Sequence, residues 1–420
     1  MKKILSVFLA FLLLCGLLAG CGGSAAASSE SRPDTTGLPA APDTGSSTPA
    51  SANALPYRAV WFSYLDWAAL DISSEEAFTQ SAKTVMQNCA ALGSNCVILQ
   101  VRPFGDAIYP SSVYGWSYLC TGTAGQNPGY DPLQILLDAA HAQGLAVEAW
   151  INPYRVRTSA TYPVGEYGAE NPALAHEDWT VAAADGLYYN PCIPGVQEMV
   201  INGVKELVQN YQLEGIHFDD YFYPTTEESF DAAYYAAYSG NLPLADWRRE
   251  NVNTLIRTTY DAIKAINSKV VFGISPQGNN DNNYNTQYSD VGLWLRESGY
   301  VDYIMPQIYW GFNYTLSNGK DTYAFKNITN YWASLARHAD VALCFGLGAY
   351  RIGAGDGGTN DQSEWENGHN LADQITALQS VDGAKGYALF RYSSLFANAE
   401  YAQLAAAETA AIAAAAKNAG

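Results

Sequence analysis

Eight times between Arg58 and Arg391, a short run of β-branched and aromatic residues gives way to a longer stretch with helical spacing. The runs are Arg58 to Tyr64, Asn95 to Arg102, Ala146 to Asn152, Gly215 to Tyr221, Val270 to Ser275, Tyr303 to Ile308, Ala342 to Gly348 and Gly386 to Arg391. Strands that alternate with helices pair in parallel, because each helix carries the chain back across one face of the sheet. Their near-continuous apolar cores mean burial on both faces. Eight such units with right-handed crossovers close the sheet on itself, so the expected fold is α/β, a TIM (β/α)8 barrel. An open doubly wound sheet is the alternative, but no GxGxxG follows the first strand to mark a dinucleotide site.

The helices carry boundary signals. Ser73 with Glu76 reads as a capping box, and Asp131 with Pro132 as an N-cap followed by a first-turn proline. Further starts fall near Pro194, Pro243 to Asp246, Ser289, Ala324 and Glu364, and an alanine-rich helix runs from about Asn398 to Asn418. The connections after strands two, three and four are each longer than about twenty residues, which marks them as candidate functional loops.

The N-terminus sets an expected location. Lys2 and Lys3 precede an apolar run, Ile4 to Leu18, too short to span a bilayer comfortably, which reads as a signal peptide. Leu18-Ala19-Gly20-Cys21 resembles a bacterial lipobox. Residues 22 to 54 are Ser, Ala, Gly, Pro and Thr with few large apolar side chains, too little to offset chain ordering. The expected organisation is a signal peptide over residues 1–20, a lipidated Cys21 and disordered tether over 21–54, and one barrel over 55–420. The protein would then be extracytoplasmic and meet the membrane only through the lipid on Cys21.

A formal charge of −19 argues against nucleic acid, whose phosphates need a basic face. Beyond Cys15 and Cys21 there remain Cys89, Cys96, Cys120, Cys192 and Cys344, which cannot all pair, and no CxxC suggests zinc. No metal or organic cofactor is implied.

In such a barrel the chemistry sits at the C-terminal strand ends. Those ends read "YLDW", "VRPFGD", "WINPYR", "DDYFYP", "SPQGNN", "PQIYWG", "GAYR" and "FRYSS". In "GIHFDDYFYP" strand alternation puts His217, Asp219 and Tyr221 on one face, with Asp220 on the other or where the strand breaks. Asp219 is therefore the leading catalytic residue and Asp220 its partner. On the third strand the same parity groups Glu148, Trp150 and Asn152, continuing toward Tyr154. Glu148 lies deep enough to need a partner, for which Arg102 on the neighbouring strand is the expectation, with substrate contact as the other role for that arginine. Asn152, Tyr154, His217, Tyr221, Gln307, Tyr309, Trp310, Tyr350 and Arg391 complete the candidate substrate-binding set.

Thirty tyrosines and ten tryptophans, with Trp67, Trp116, Tyr223 and Tyr392 also near strand ends, favour a polysaccharide groove lined by stacking rings. Glycosidic cleavage ordinarily uses two carboxyl groups. Strands five to eight end without Asp or Glu, so the second comes from Asp220, from a loop (Asp106, Glu227, Glu228, Asp281 or Glu364), or is replaced by the substrate's own N-acetyl group. The alternatives are a glycan-binding barrel without catalysis, and a metal-dependent deacetylase or amidohydrolase. The latter needs several histidines at strand ends, and of the five present only His217 lies on an expected strand.

Taken together, "RAVWFS", "VILQVRPFGDAIYPSS", "GLAVEAWINPYR", "GIHFDDYFYP", "GISPQGN" and "MPQIYW" resemble the glycosyl-hydrolase-like family ten, from Leu55 to about Phe396. The resemblance implies a TIM-barrel bacterial lipoprotein that hydrolyses peptidoglycan glycan strands stripped of their peptides. His217, Asp219 and Asn152 also match the places of a buried basic residue, nucleophile and strand-three Asn in the alpha-amylase clan, whose fifth-strand acid has no counterpart in "GISPQG". "MPQIYW" is similar to the sixth strand of chitinase-type barrels, which points to Tyr309 as the tyrosine that supports an acetamide.

Overall fold

The computed structural model describes residues 55–158, 171–183 and 186–418; the expected signal segment, Cys21 and the tether lie outside the described residues. The strands are β1 (Tyr57–Phe62), β2 (Cys96–Arg102), β3 (Ala146–Ile151), β4 (Arg155–Thr158), β5 (Thr180–Ala183), β6 (Gly186–Tyr189), β7 (Gly215–Phe218), β8 (Val271–Ile274), β9 (Tyr303–Ile304), β10 (Ala342–Gly348) and β11 (Ala384–Phe390). Eight of them close a barrel in the order β1, β2, β3, β7, β8, β9, β10, β11, with β11 returning to β1. Every pairing in it is parallel. Helices follow each barrel strand, among them Glu75–Ala91, Pro132–His141, Pro194–Asn210, Leu244–Ile266, Phe325–Ser334 and Asn370–Leu378. This is the TIM barrel that the eightfold alternation predicts.

Four local differences have physical reasons. The helix after β1 is capped by Ser74, whose side chain accepts from the Ala77 amide at 3.2 Å, so the cap lies one residue past Ser73. The ladders of β8 and β9 stop short of the expected Ser275 and Ile308, because Pro276 and Pro306 have no N–H to donate. Pairing resumes as single bridges, Gln277 to Gln307 and Gln307 to Gly346, which hold the barrel mouth together beyond the prolines. Finally, β4, β6 and β5 form a separate antiparallel sheet inside the connection after β3, where four-residue strands leave too short a pattern to read.

The core has two layers. One lies between barrel and helices and includes Val97, Leu99, Val147, Ala149, Ile216 and Phe218. The other fills the barrel interior with Tyr57, Trp61, Ile98, Trp150, Tyr303 and Met305. Alternate residues of "GIHF" thus divide between them, Ile216 and Phe218 outward and His217 inward. Glycine is required at two interior positions. A Cβ on Gly273 would collide with the Tyr303 ring, and one on Gly215 would lie 2.7 Å from the Glu148 side chain.

Candidate active site

The barrel interior is polar beneath its mouth. Glu148 is fully buried and accepts from Tyr57 Oη at 2.9 Å and from the Tyr303 phenol. Burial raises its carboxyl from the ordinary 4.5 to about 7, against the pull of those two phenols. Tyr303 in turn meets His217 Nδ1 at 2.6 Å. Trp61 Nε1, which can only donate, approaches His217 Nε2 at 3.4 Å, and Ser275 Oγ lies 2.9 Å from the same nitrogen. The network therefore assigns the imidazole proton to Nδ1, so that His217 donates to Tyr303 and Tyr303 to Glu148. Burial keeps His217 neutral, its pKa lowered to about 3.

This arrangement corrects three expectations. Glu148 pairs with tyrosines and not with Arg102. A register shift between Gln100 and Arg102 aligns Arg102 with the outward-facing Ile151, so the bulge turns it out of the barrel. There its Nη1 donates to the carbonyls of Asn152 at 2.6 Å and Pro153 at 3.0 Å, and its guanidinium lies 4.4 Å from the Tyr114 ring centroid. Arg102 is fully buried structural support, not a substrate contact. His217 sits inward as parity predicts, but beneath the site, with no exposed surface to offer a sugar.

Asp219 and Asp220 occupy the rim where β7 ends. Asp219 leans toward β3: its Oδ2 accepts from Trp150 Nε1 at 3.1 Å and Asn152 Nδ2 at 3.3 Å, and its Oδ1 from the Tyr221 amide at 3.2 Å. Two donors occupy Oδ2, which leaves Oδ1 to carry a proton. Burial and then the charge of Asp220 raise Asp219 to about 7, with Arg155 and the donors opposing. Asp220 leans the other way, accepting from Gln307 Nε2 at 3.0 Å and Gln287 Nε2 at 3.4 Å. Burial raises its proton affinity too, while the amides of Gln307, Gln277 and Gln287 pull it down. The two carboxyls are adjacent in the chain, and the charge of each disfavours ionisation of the other.

The loop carboxylates that could have served as second acid are otherwise placed. Glu364 accepts from the amides of Phe312 at 2.9 Å and Asn313 at 3.1 Å and staples that loop. Glu227, Glu228 and Asp281 are exposed, and Asp106 is buried beside Tyr118. Of the candidates, Asp220 is the one whose charge Asp219 feels.

The aromatic rim is smaller than the sequence suggests. Trp67, Tyr154, Tyr223 and Tyr392 are core residues; Trp67 donates to the Leu119 carbonyl at 2.6 Å, and Tyr154 packs against Phe222. Tyr154 is therefore withdrawn from the groove. Tyr221 is 46% exposed, and Trp116, Tyr309, Trp310 and Tyr350 are half-buried. Tyr309 stacks on Phe390 with centroids 5.7 Å apart, meets Tyr350 edge-on at 5.5 Å, and lies within electrostatic reach of both aspartates. Trp310 stacks on Tyr323 at 4.8 Å. Gln307 also donates to the Ser275 carbonyl at 2.9 Å, so it braces Asp220. Arg391 is committed to Asp66 at 3.1 Å, joining the ends of β11 and β1.

Sequence reasoning missed Trp150, Gln277, Gln287 and Arg155 as site residues. Trp150 had a signal, two places before Asn152 on the same face; Gln277 and Arg155 stand within the strand-end segments "SPQGNN" and "WINPYR". Gln287 had none, since its role depends on where Asp220 turns. Cys89, Cys96, Cys120, Cys192 and Cys344 are all buried free thiols.

A closed parallel barrel whose C-terminal mouth holds two buried carboxyls beneath a partly exposed aromatic rim has the elements that glycoside cleavage on a TIM barrel uses. The chain belongs to the family described as Glycosyl hydrolase-like 10, which it matches over residues 56–367. It is 33% identical over 364 residues to glycosyl hydrolase YngK of Bacillus subtilis, covering 81% of this chain and 69% of that protein. It is 34% identical over 390 residues to glycosyl hydrolase DigH of Escherichia coli K12, covering 83% and 86%. In fold it is similar to the PgaB glycoside hydrolase domain of Bordetella bronchiseptica, with a TM-score of 0.51 at 12% identity over 84% of this chain and 98% of that one. Alpha-L-fucosidase isoenzyme 2 of Paenibacillus thiaminolyticus gives 0.53 at 15% identity, over 84% and 48%.

Proposed function

We propose that the protein is a lipid-anchored, extracytoplasmic glycosidase that cleaves peptide-free peptidoglycan glycan strands. The observation that carries this reading is the adjacent Asp219 and Asp220, both buried and both held toward protonation at the barrel mouth. Protonated Asp219 delivers its proton from Oδ1 to the glycosidic oxygen as the bond to C1 breaks. The substrate's acetamide oxygen closes on C1, Asp220 accepts from the acetamide N–H, and Tyr309 supports the group from the opposite side. Water, deprotonated by the Asp219 carboxylate, then opens the intermediate and restores the acid. The basic N-terminal pair, the apolar run and Cys21 support export and lipidation.

Purified peptide-free strands incubated with the protein and followed by mass spectrometry should yield shorter chains with new reducing ends. Strands that are bound but remain intact would instead identify a glycan-binding barrel.

A further inference from the structure

Arg155 is an unusual cation. It is only 5% exposed, at the start of β4 and within electrostatic reach of Asp219. Its guanidinium lies 4.8 Å from the Tyr221 ring centroid, 5.1 Å from that of Phe104 and 5.6 Å from that of Tyr64. Its Nε donates to the Pro103 carbonyl at 3.2 Å, which fixes the plane of the fork. Neither Nη bonds to any described residue, and neither is sealed from solvent. No described carboxylate forms an ion pair with it. Asp219 is the carboxylate whose charge it feels, but no hydrogen bond joins the two.

A cation largely withdrawn from water without a hydrogen-bonded anion is unfavourable, and the planar fork of arginine matches a carboxylate through two parallel hydrogen bonds. The rest of the molecule points away from such a ligand, since a chain with a net charge of −19 repels anions at long range. A buried arginine with no ion pair among the described residues is thus a local exception.

We propose that Arg155 anchors a free carboxylate carried by the sugar next to the bond that is cut, so that the site selects strands by charge. This rests on the glycosidase reading above and deepens it. In a peptidoglycan strand the carboxylate is the group to which a peptide stem is joined as an amide. The stem removes the charge and adds bulk at the cup formed by Tyr64, Phe104 and Tyr221. One arginine thereby selects for peptide-free strands.

The test compares peptide-free strands with the same strands after conversion of their carboxylates to methylamides. The wild-type protein should lose roughly 10- to 150-fold in kcat/KM on amidation, the span of a hydrogen bond to a charged group. Arg155→Gln should lose a similar factor on the free carboxylate and nothing further on the amide, and Arg155→Lys should recover part of it. Equal turnover of both strands by the wild type would overturn the proposal, as would an equal loss on both by Arg155→Gln. If neither strand is cut, the glycosidase reading fails by itself. Calorimetric binding of the two strands to the wild-type protein then decides: tighter binding of the free carboxylate upholds the role of Arg155, and equal binding refutes it.

Discussion

Replacing Glu148 by glutamine is expected to remove a pH dependence from the stability of the barrel. Glu148 is fully buried between Tyr57 and Tyr303, and burial lifts its carboxyl from the ordinary 4.5 to about 7. The folded protein therefore binds this proton more tightly than the unfolded chain. Such a group favours folding fully below its unfolded pKa, and that contribution is lost as pH rises toward the folded value. A climb from 4.5 to about 7, at about 1.4 kcal/mol per pH unit, makes about 3 kcal/mol lost between those limits. Glutamine keeps the shape, can take one phenol proton and has no proton to lose. Urea unfolding followed by tryptophan fluorescence from pH 4 to pH 8 measures both proteins. The titration of Asp219, which falls in the same range, is common to both and cancels in the difference. The stability of Glu148→Gln relative to wild type should climb by about 3 kcal/mol across the window, whatever the offset at pH 4. A difference that stays flat would refute the buried titration and the burial argument behind it.

Other expectations rest on the same geometry. Arg102→Met strips donors from the carbonyls of Asn152 and Pro153 and should lower stability by about 2–4 kcal/mol in denaturant unfolding while leaving KM unchanged; a raised KM at full stability would restore Arg102 to the groove. Trp150→Phe removes an N–H from Asp219 Oδ2, so the basic limb of the kcat/KM profile, set near 7 by Asp219, should move upward; a limb that moves down would contradict the assignment. Arg248→Ala leaves Asp231 charged and buried after breaking their 2.6 Å ion pair, and should destabilise the protein by about 3–5 kcal/mol by calorimetry or urea unfolding.

The eight barrel strands are readable in the sequence because each is apolar on both faces and gives way to a helix. Their C-terminal limits are not, because Pro276 and Pro306 break ladders whose geometry continues as single bridges. Alternation places Glu148, Trp150, His217 and Asp219 correctly on the inner face. The expected pairing of Glu148 with Arg102 fails, since a bulge turns Arg102 out of the barrel. The aspartate pair is legible, but the way it splits toward β3 and toward the three glutamines depends on the backbone turn after Phe218. Aromatic abundance does not say which rings reach the barrel mouth, and Tyr154, Tyr223, Trp67 and Tyr392 belong to the core. The unpaired fork of Arg155 emerges only when its surroundings are seen.

The proposed mechanism makes Asp219 the proton-transferring group, and its most direct test is kcat for Asp219→Asn on peptide-free glycan strands, with folding checked by urea unfolding. Asparagine preserves the size and can keep an acceptor toward Trp150 and Asn152 but cannot deliver a proton. Turnover should fall by about 10²–10⁴-fold, the usual contribution of general acid catalysis, with binding of the strands retained. Equal products from the two proteins would remove Asp219 from the chemistry.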